Sequence, residues 1–301
     1  MTKYRREPIS RGWTIAGLVV VAVVAVALVI AAVLRNHAAA ASGTAAPLPS
    51  FTDASPSATP TATPTPTHTP IDRAAERFFA VAPDALWRAT AGQCGKTEPV
   101  VERSTDRGQT WTDVTPHYRD IAQVASLDQI AAHAAAMVTE LGDDCTPTGI
   151  RTFTDGRFWE PFDAVIDDAH YLSFTDAAKV ISPDGYYAAP CDDAHGLRAA
   201  GDIEAVICDG TAYERSADEW VPLPQKNALA VAVFSGDLYV ASVGEKDCEG
   251  IAVTRLADAD PAKSESAGCA ADATAKGTIA IGPSSFGTFV WSADAVILVK
   301  P

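Results

Sequence analysis

Basic side chains are scarce in this sequence, with 23 Lys and Arg against 38 Asp and Glu. Lys3, Arg5, Arg6, Arg11 and Arg35 face only Glu7 within residues 1–35, so residues 36–301 hold 18 basic and 37 acidic side chains, a charge of −19. Such a surface repels phosphate backbones and anionic headgroups, which excludes nucleic acid as a partner. Cysteine pairs of the C-x2-C kind are missing, so no zinc site of cysteines is expected, and no metal. A glycine-rich phosphate loop and a G-x-S-x-G nucleophile elbow are also missing, and no cofactor is expected.

Polar side chains are absent from residues 15–34, and thirteen of those positions are Val, Ile or Leu. A helix of that length spans roughly 30 Å, the thickness of a bilayer's hydrocarbon core. Trp13 stands where an interfacial anchor belongs, and the excess of basic residues upstream keeps the N-terminus inside. Residues 13–35 are therefore expected to form a transmembrane signal anchor, with residues 1–12 cytoplasmic and all later residues extracytoplasmic. A cleaved signal peptide is the competing reading, and its apolar region would be shorter, about 7 to 15 residues.

Residues 36–70 read as a disordered Pro/Ser/Thr-rich linker. Seven Pro and twelve Ser or Thr fall between residues 38 and 70, too little apolar surface to offset ordering entropy. Repeated Thr-Pro steps favour polyproline II, a reach of up to ~100 Å for the stretch.

From residue 71 onward short apolar runs alternate with Gly, Asp and Ser turns. Residues 228–244 read as a hairpin turning at Ser235-Gly236-Asp237, and residues 201–216 as another turning at Asp209-Gly210. Residues 130–141 are rich in Ala and read as strand rather than helix, which makes His133 a core histidine. Many short strands predict an all-β sandwich, barrel or propeller.

Internal repetition separates these options. "ERSTDRGQTWTDVTP" starts at Glu102, "RTFTDGRFWEPF" at Arg151 and "ERSADEWVPLP" at Glu214, with Trp111, Trp159 and Trp220 in corresponding places. A fainter copy surrounds Arg255, and a terminal unit is expected around Trp291. The stretch "STDRGQTW" resembles the Asp box, or bacterial neuraminidase repeat, S-x-D-x-G-x-T-W, with Ser104, Asp106, Gly108, Thr110 and Trp111 at its defining positions. The resemblance implies a hairpin between the outer two strands of a β-propeller blade. It makes the box a structural fastener rather than an active site. At ~45 residues per blade, residues 71–301 would hold about five blades.

Six cysteines in an exported domain predict disulfides. By the blade phasing that the resemblance implies, Cys94 and Cys145 are equivalent in adjacent units and pair with each other. Cys191 with Cys208, and Cys248 with Cys269, would close local loops. Of the remaining polar motifs, the two DDAH stretches read as polar loops and His117 as solvated.

A sialidase would need three convergent arginines and an activated tyrosine. Arg103, Arg107, Arg151 and Arg215 instead lie in or beside box copies, and the family's F/Y-R-I-P motif is missing. The functional expectation is a membrane-anchored binding or scaffolding propeller for a protein or glycan ligand. The alternative is a hydrolase of extracellular glycans, to be distinguished by whether Arg and carboxylate side chains converge at the channel.

Overall fold

The computed structural model describes residues 72–301. The expected anchor over 13–35 and the linker over 36–70 lie outside the described residues. Among the described residues no helix is long and apolar enough to cross a membrane.

Six antiparallel sheets follow one another along the chain. Blade 1 comprises β1 (Arg77–Val81), β2 (Leu86–Thr90), β3 (Val100–Ser104) and β4 (Thr112–Asp113). Blade 2 comprises β5 (Ile121–Ala131), β6 (Ala134–Leu141), β7 (Thr146–Thr152) and β8 (Glu160–Pro161). Blade 3 is short, with β9 (Tyr171–Leu172), β10 (Lys179–Ser182) and β11 (Gly185–Ala188). Blade 4 holds β12 (His195–Ala200), β13 (Ile203–Cys208), β14 (Thr211–Ser216) and β15 (Glu219–Pro222). Blade 5 holds β16 (Ala228–Phe234), β17 (Asp237–Val243), β18 (Ile251–Leu256) and β19 (Ser264–Ala270). Blade 6 ends the chain with β20 (Ala280–Ser284), β21 (Gly287–Ser292) and β22 (Ala295–Val299). One short helix, α1 (Asp163–Asp167), links blades 2 and 3.

The ring closes. First strands touch in the cyclic order β1, β5, β9, β12, β16, β20 and back to β1. A separate apolar cluster fills each of the six seams. Trp87, Met137, Ile150 and Trp159 join blades 1 and 2. Val138, Tyr171 and Ile181 join 2 and 3, and Leu172, Val180 and Val206 join 3 and 4. Ile207, Leu238 and Leu256 join 4 and 5, and Val253, Ile281 and Val290 join 5 and 6. Phe79, Leu86, Phe289 and Trp291 seal 6 to 1. The blade-count expectation of about five is thus corrected to six. Blade 3 has strands of only two to four residues and blade 6 holds three strands among the described residues, so a unit is shorter than the assumed period.

The expected hairpins form where the turn residues allow. Asp209-Gly210 and Ser235-Gly236 both take positive φ at both positions, the geometry of a two-residue hairpin turn. Residues 130–141 are strand, but a turn at Ala132 and His133 divides them. His133 has φ 62° and an exposed side chain, so it is not a core residue.

Antiparallel order gives the ring two distinct faces. Every first strand starts on what we call the entry face and ends on the far face. The entry face also carries the turns between second and third strands. The far face carries the turns between third and fourth strands.

Candidate functional site

The stretch 104–111 connects β3 to β4 on the far face and is held by its own side chains. The buried Ser104 hydroxyl donates to Asp106 Oδ1 at 2.7 Å and accepts from the Gly108 amide at 2.8 Å. Asp106 accepts from the Thr110 amide at 2.9 Å and from the Thr110 hydroxyl at 2.6 Å. These donors, the Thr110 hydroxyl foremost, lower the Asp106 pKa to about 2. Gly108 has φ +86°, and a Cβ there would stand 3.2 Å from Val296 of blade 6. Trp111 donates its indole N–H to the Gly108 carbonyl and meets Phe79 edge-on.

The turn 152–159 repeats this pattern in blade 2 with a different residue assignment from that read in the sequence. Thr152 Oγ1 accepts from Gly156, as Ser104 does from Gly108. Thr154 Oγ1 accepts from Phe158, as Asp106 does from Thr110. Thr154 therefore holds the acidic position, and no residue is lost before Trp159. Asp155 is instead an outward residue, paired with Arg103 of β3 and with His133. The copy at 214–222 turns tightly at Ala217-Asp218, with Arg215 paired to Asp218. The unit expected around Trp291 is misplaced: Trp291 lies in β21, the second strand of its blade.

All three expected disulfides are present: Cys94–Cys145, Cys191–Cys208 and Cys248–Cys269, with Cα separations of 5.9, 5.9 and 5.7 Å. All three lie on the entry face, at turns and strand ends. The two sites where cysteine approaches carboxylates, Cys94–Glu140–Cys145 and Cys191–Asp193–Asp209, contain sulfurs already joined in disulfides. A disulfide sulfur is no thiolate ligand.

The entry face is stoppered by the chain's own approach to β1. Glu76 is buried, and its Oε1 accepts from the Gly196 amide across the ring at 2.9 Å. Arg73 reaches the Ser173 carbonyl of blade 3 at 2.7 Å, and the Thr278 hydroxyl ahead of blade 6 donates to the Ala75 carbonyl. Arg198 of β12 spans the channel to the Arg77 carbonyl at 2.8 Å. Desolvation lowers the Arg198 pKa, opposed by Glu76 and Asp128. Blades 1 and 4 stand opposite each other in a six-membered ring, so these bonds bridge its diameter.

On the far side the channel stays open. A cavity of about 450 Å3 is bounded by Asp128, Ile130, Arg151, Phe162, Asp168 and His170, among others. Asp128 is open to solvent yet walled by protein, and desolvation raises its pKa against the pull of Arg198. Arg151 stacks 3.4 Å from the Phe162 centroid and pairs with Glu160 at 2.9 Å. Ile130, Phe153, Phe158 and Phe162, all of blade 2 and the link after it, are exposed large apolar side chains at or beside this mouth. The sequence reading named none of them, since nothing local marks a phenylalanine as exposed.

A tyrosine–carboxylate pair does occur. Tyr187 donates to Glu204 at 2.5–2.6 Å, with His170 Nδ1 3.3 Å from both the Tyr187 hydroxyl and Glu204 Oε1. It joins β11 of blade 3 to β13 of blade 4, and desolvation followed by Glu204 pushes the phenol up, away from phenolate. Arginine does not converge on it in threes; Arg215 alone lies over the Tyr187 ring, at 3.8 Å. Other guanidinium nitrogens without a hydrogen-bond acceptor are also on arginines that sit against rings: Arg77 over Trp291, Arg88 over Trp111 and Arg103 over Trp87.

These features define a class: a six-bladed, disulfide-bonded propeller whose channel is bridged by Glu76 and Arg198 near the entry face and widens into a cavity on the far face. No protein-family model matches the chain, and no curated protein matches it. Among solved structures it is similar to YCF48 bound to D1 peptide, with 13% identity over 74% of this chain and 76% of that one, TM-score 0.41. It is also similar to GH43B of a Bacteroides ovatus xyloglucan locus, with 10% identity, 75% of this chain and TM-score 0.35. There the match spans about half of the other chain, 49%. A third is the GH43_1 enzyme from Xanthomonas citri complexed with xylose, with 10% identity, 74% and 82% coverage and TM-score 0.34.

Proposed function

We propose that this chain is a membrane-anchored, extracytoplasmic binding or scaffolding propeller that offers its far face to a protein or glycan. The observation that carries this reading is the far-face cavity with its exposed apolar rim of Ile130 and Phe162. The described chain enters at Asp72 on the stoppered face, beside all three disulfides. The open mouth and its apolar rim lie on the other. In this reading residues 13–35 are the anchor and 36–70 the tether. The stretch 104–111 acts in this scheme as an Asp-box fastener.

The test is titration of the full chain in lipid nanodiscs against panels of soluble oligosaccharides and extended peptides. Phe162→Ala and Arg151→Ala are expected to weaken binding about tenfold, the cost of removing ~1.4 kcal/mol of contact. Lys96→Ala, on the entry face, is expected to leave it unchanged.

A glycan hydrolase is the second reading, favoured by one observation: the mouth holds two carboxylates, Asp128 and Asp168, and the first is held toward its protonated form. Glycoside hydrolysis uses a carboxyl pair of which one is a protonated acid. Release of reducing ends by the full chain, abolished in Asp128→Asn, would replace the binding reading with this one.

A further inference from the structure

Blade 3 is too short to cover its neighbour. Strands β5, β6 and β7 of blade 2 run for 11, 8 and 7 residues, while β9, β10 and β11 have 2, 4 and 4. Toward the entry face the side of blade 2 that meets blade 3 is covered, since Val138 packs with Tyr171 and Ile181. Ala136 lies two residues further toward the far face on the same side of β6. There the cavity of about 450 Å3 opens, bounded on another side by β12 of blade 4.

Strand register sets a row of side chains on that bare part of blade 2. Asp128 stands opposite Ala136, Ala136 opposite Arg151, and Arg151 opposite Glu160. Ala136, the smallest of the four, leaves the space between Asp128 and Arg151. A second wall is α1 and the chain after it, which carries Asp163, Asp167 and Asp168 with no basic side chain before His170.

The basic side chains nearby are already engaged. Arg151 Nε donates to Glu160 at 2.9 Å, and its guanidinium lies against Phe162. Arg198 donates to the Leu197 and Arg77 carbonyls at 2.7 and 2.8 Å. His170 Nδ1 is turned to Glu204 and Tyr187. Among the described residues Asp128 and Asp168 have no ion-pair partner. Desolvation raises the Asp128 pKa despite Arg198 and a hydrogen bond from Ser126. A carboxylate so walled in gains most from a cation that also donates hydrogen bonds. Ile130, Phe162 and Leu197 supply apolar surface in the same cavity, which suits a methylene stem. A neutral sugar would leave both carboxylates without a counter-charge.

We propose that the far-face cavity receives a basic side chain, lysine or arginine, of an extended peptide, its charge met by Asp128 and Asp168 and its stem by Ile130 and Phe162. This rests on the far face being the binding face and names the chemistry of what it binds. Residues 36–301 carry 18 basic and 37 acidic side chains, a balance that also draws a basic partner in over longer range.

Two capped Gly/Ala peptides test this on the full chain in nanodiscs of zwitterionic lipid. One has a central lysine and the other norleucine, which keeps the stem and drops the charge. The lysine peptide is expected to bind about tenfold more tightly, a margin that shrinks with added salt. Asp128→Asn and Asp168→Asn are each expected to cost the lysine peptide about tenfold and the norleucine peptide nothing, while Phe162→Ala weakens both. The comparison of the two peptides on the wild type needs no variant, so it stands whatever the variants do to Tm. Equal binding of the two peptides, or no binding of the lysine peptide, would overturn the proposal, and so would tighter binding of a neutral oligosaccharide. Where Phe162→Ala still weakens what binds, the far face stays the binding face and only the cation is wrong. Lysine-peptide binding untouched by Phe162→Ala would instead remove the far-face reading itself.

Discussion

At Asp106 a single carboxylate organises a turn of eight residues, and its worth can be read by titration. Its pKa is lowered to about 2 in the fold, against about 3.9 in an unfolded chain. A depressed carboxylate contributes stability that is present above the unfolded value and lost as pH falls through the folded one. Asp106→Ala is therefore expected to lower Tm at pH 7, and the gap to wild type should close between pH 4 and pH 2. A melting series over that range checks it; a gap independent of pH would mean the carboxylate charge is not what holds the turn. The turn at 104–111 was legible because Ser104, Asp106, Gly108, Thr110 and Trp111, the residues that hold it, stand together in one short stretch. The turn at 152–159 was legible only as a repeat: Thr154 stands in for the acid, and Asp155 drew attention away from it. His133 was misread because an alanine-rich run gives no sign of the turn dividing it.

The strand pairs and their covalent staples belong to the next scale. Closing a loop of 51 residues, Cys94–Cys145 ties blade 1 to blade 2, while the other bridges close 17 and 21 residues. On loop entropy each is worth about 3–4 kcal/mol, the longest loop most. The double variant Cys94→Ser, Cys145→Ser is expected to show the larger drop in unfolding free energy by denaturant titration. A larger loss from removing Cys248–Cys269 would contradict that ranking. All three pairings were legible, two from loop length and one from the phasing of the sequence repeats. The blade count was not. Tyr171–Leu172 is too short to carry a strand pattern, and its neighbours, not its residues, make it the first strand of blade 3.

Across the whole ring, the proposed function divides by face. The stopper on the entry face rests on Glu76 and Arg198, each making a bond across the channel. Removing either leaves its own backbone partner unmet, the Gly196 amide for Glu76 and the Arg77 carbonyl for Arg198, at a cost of about 1–3 kcal/mol. Arg198→Met is expected to destabilise the domain and to leave far-face binding affinity unchanged in the fraction that folds, measured by thermal melts alongside titration. Loss of affinity at unchanged Tm would instead place Arg198 in the binding site. The sequence revealed none of this polarity, because Glu76, Arg198 and Asp128 meet only when the ring closes, from positions up to 122 residues apart.

The central claim is that the open far face, and not the stoppered one, receives the ligand. Paired titrations of the full chain in nanodiscs, far-face Phe162→Ala against entry-face Lys96→Ala, measure it most directly. The account predicts that an oligosaccharide or peptide bound by the wild type loses about tenfold in affinity with Phe162→Ala and none with Lys96→Ala, without being cleaved. Affinity lost with Lys96→Ala and kept with Phe162→Ala would contradict it.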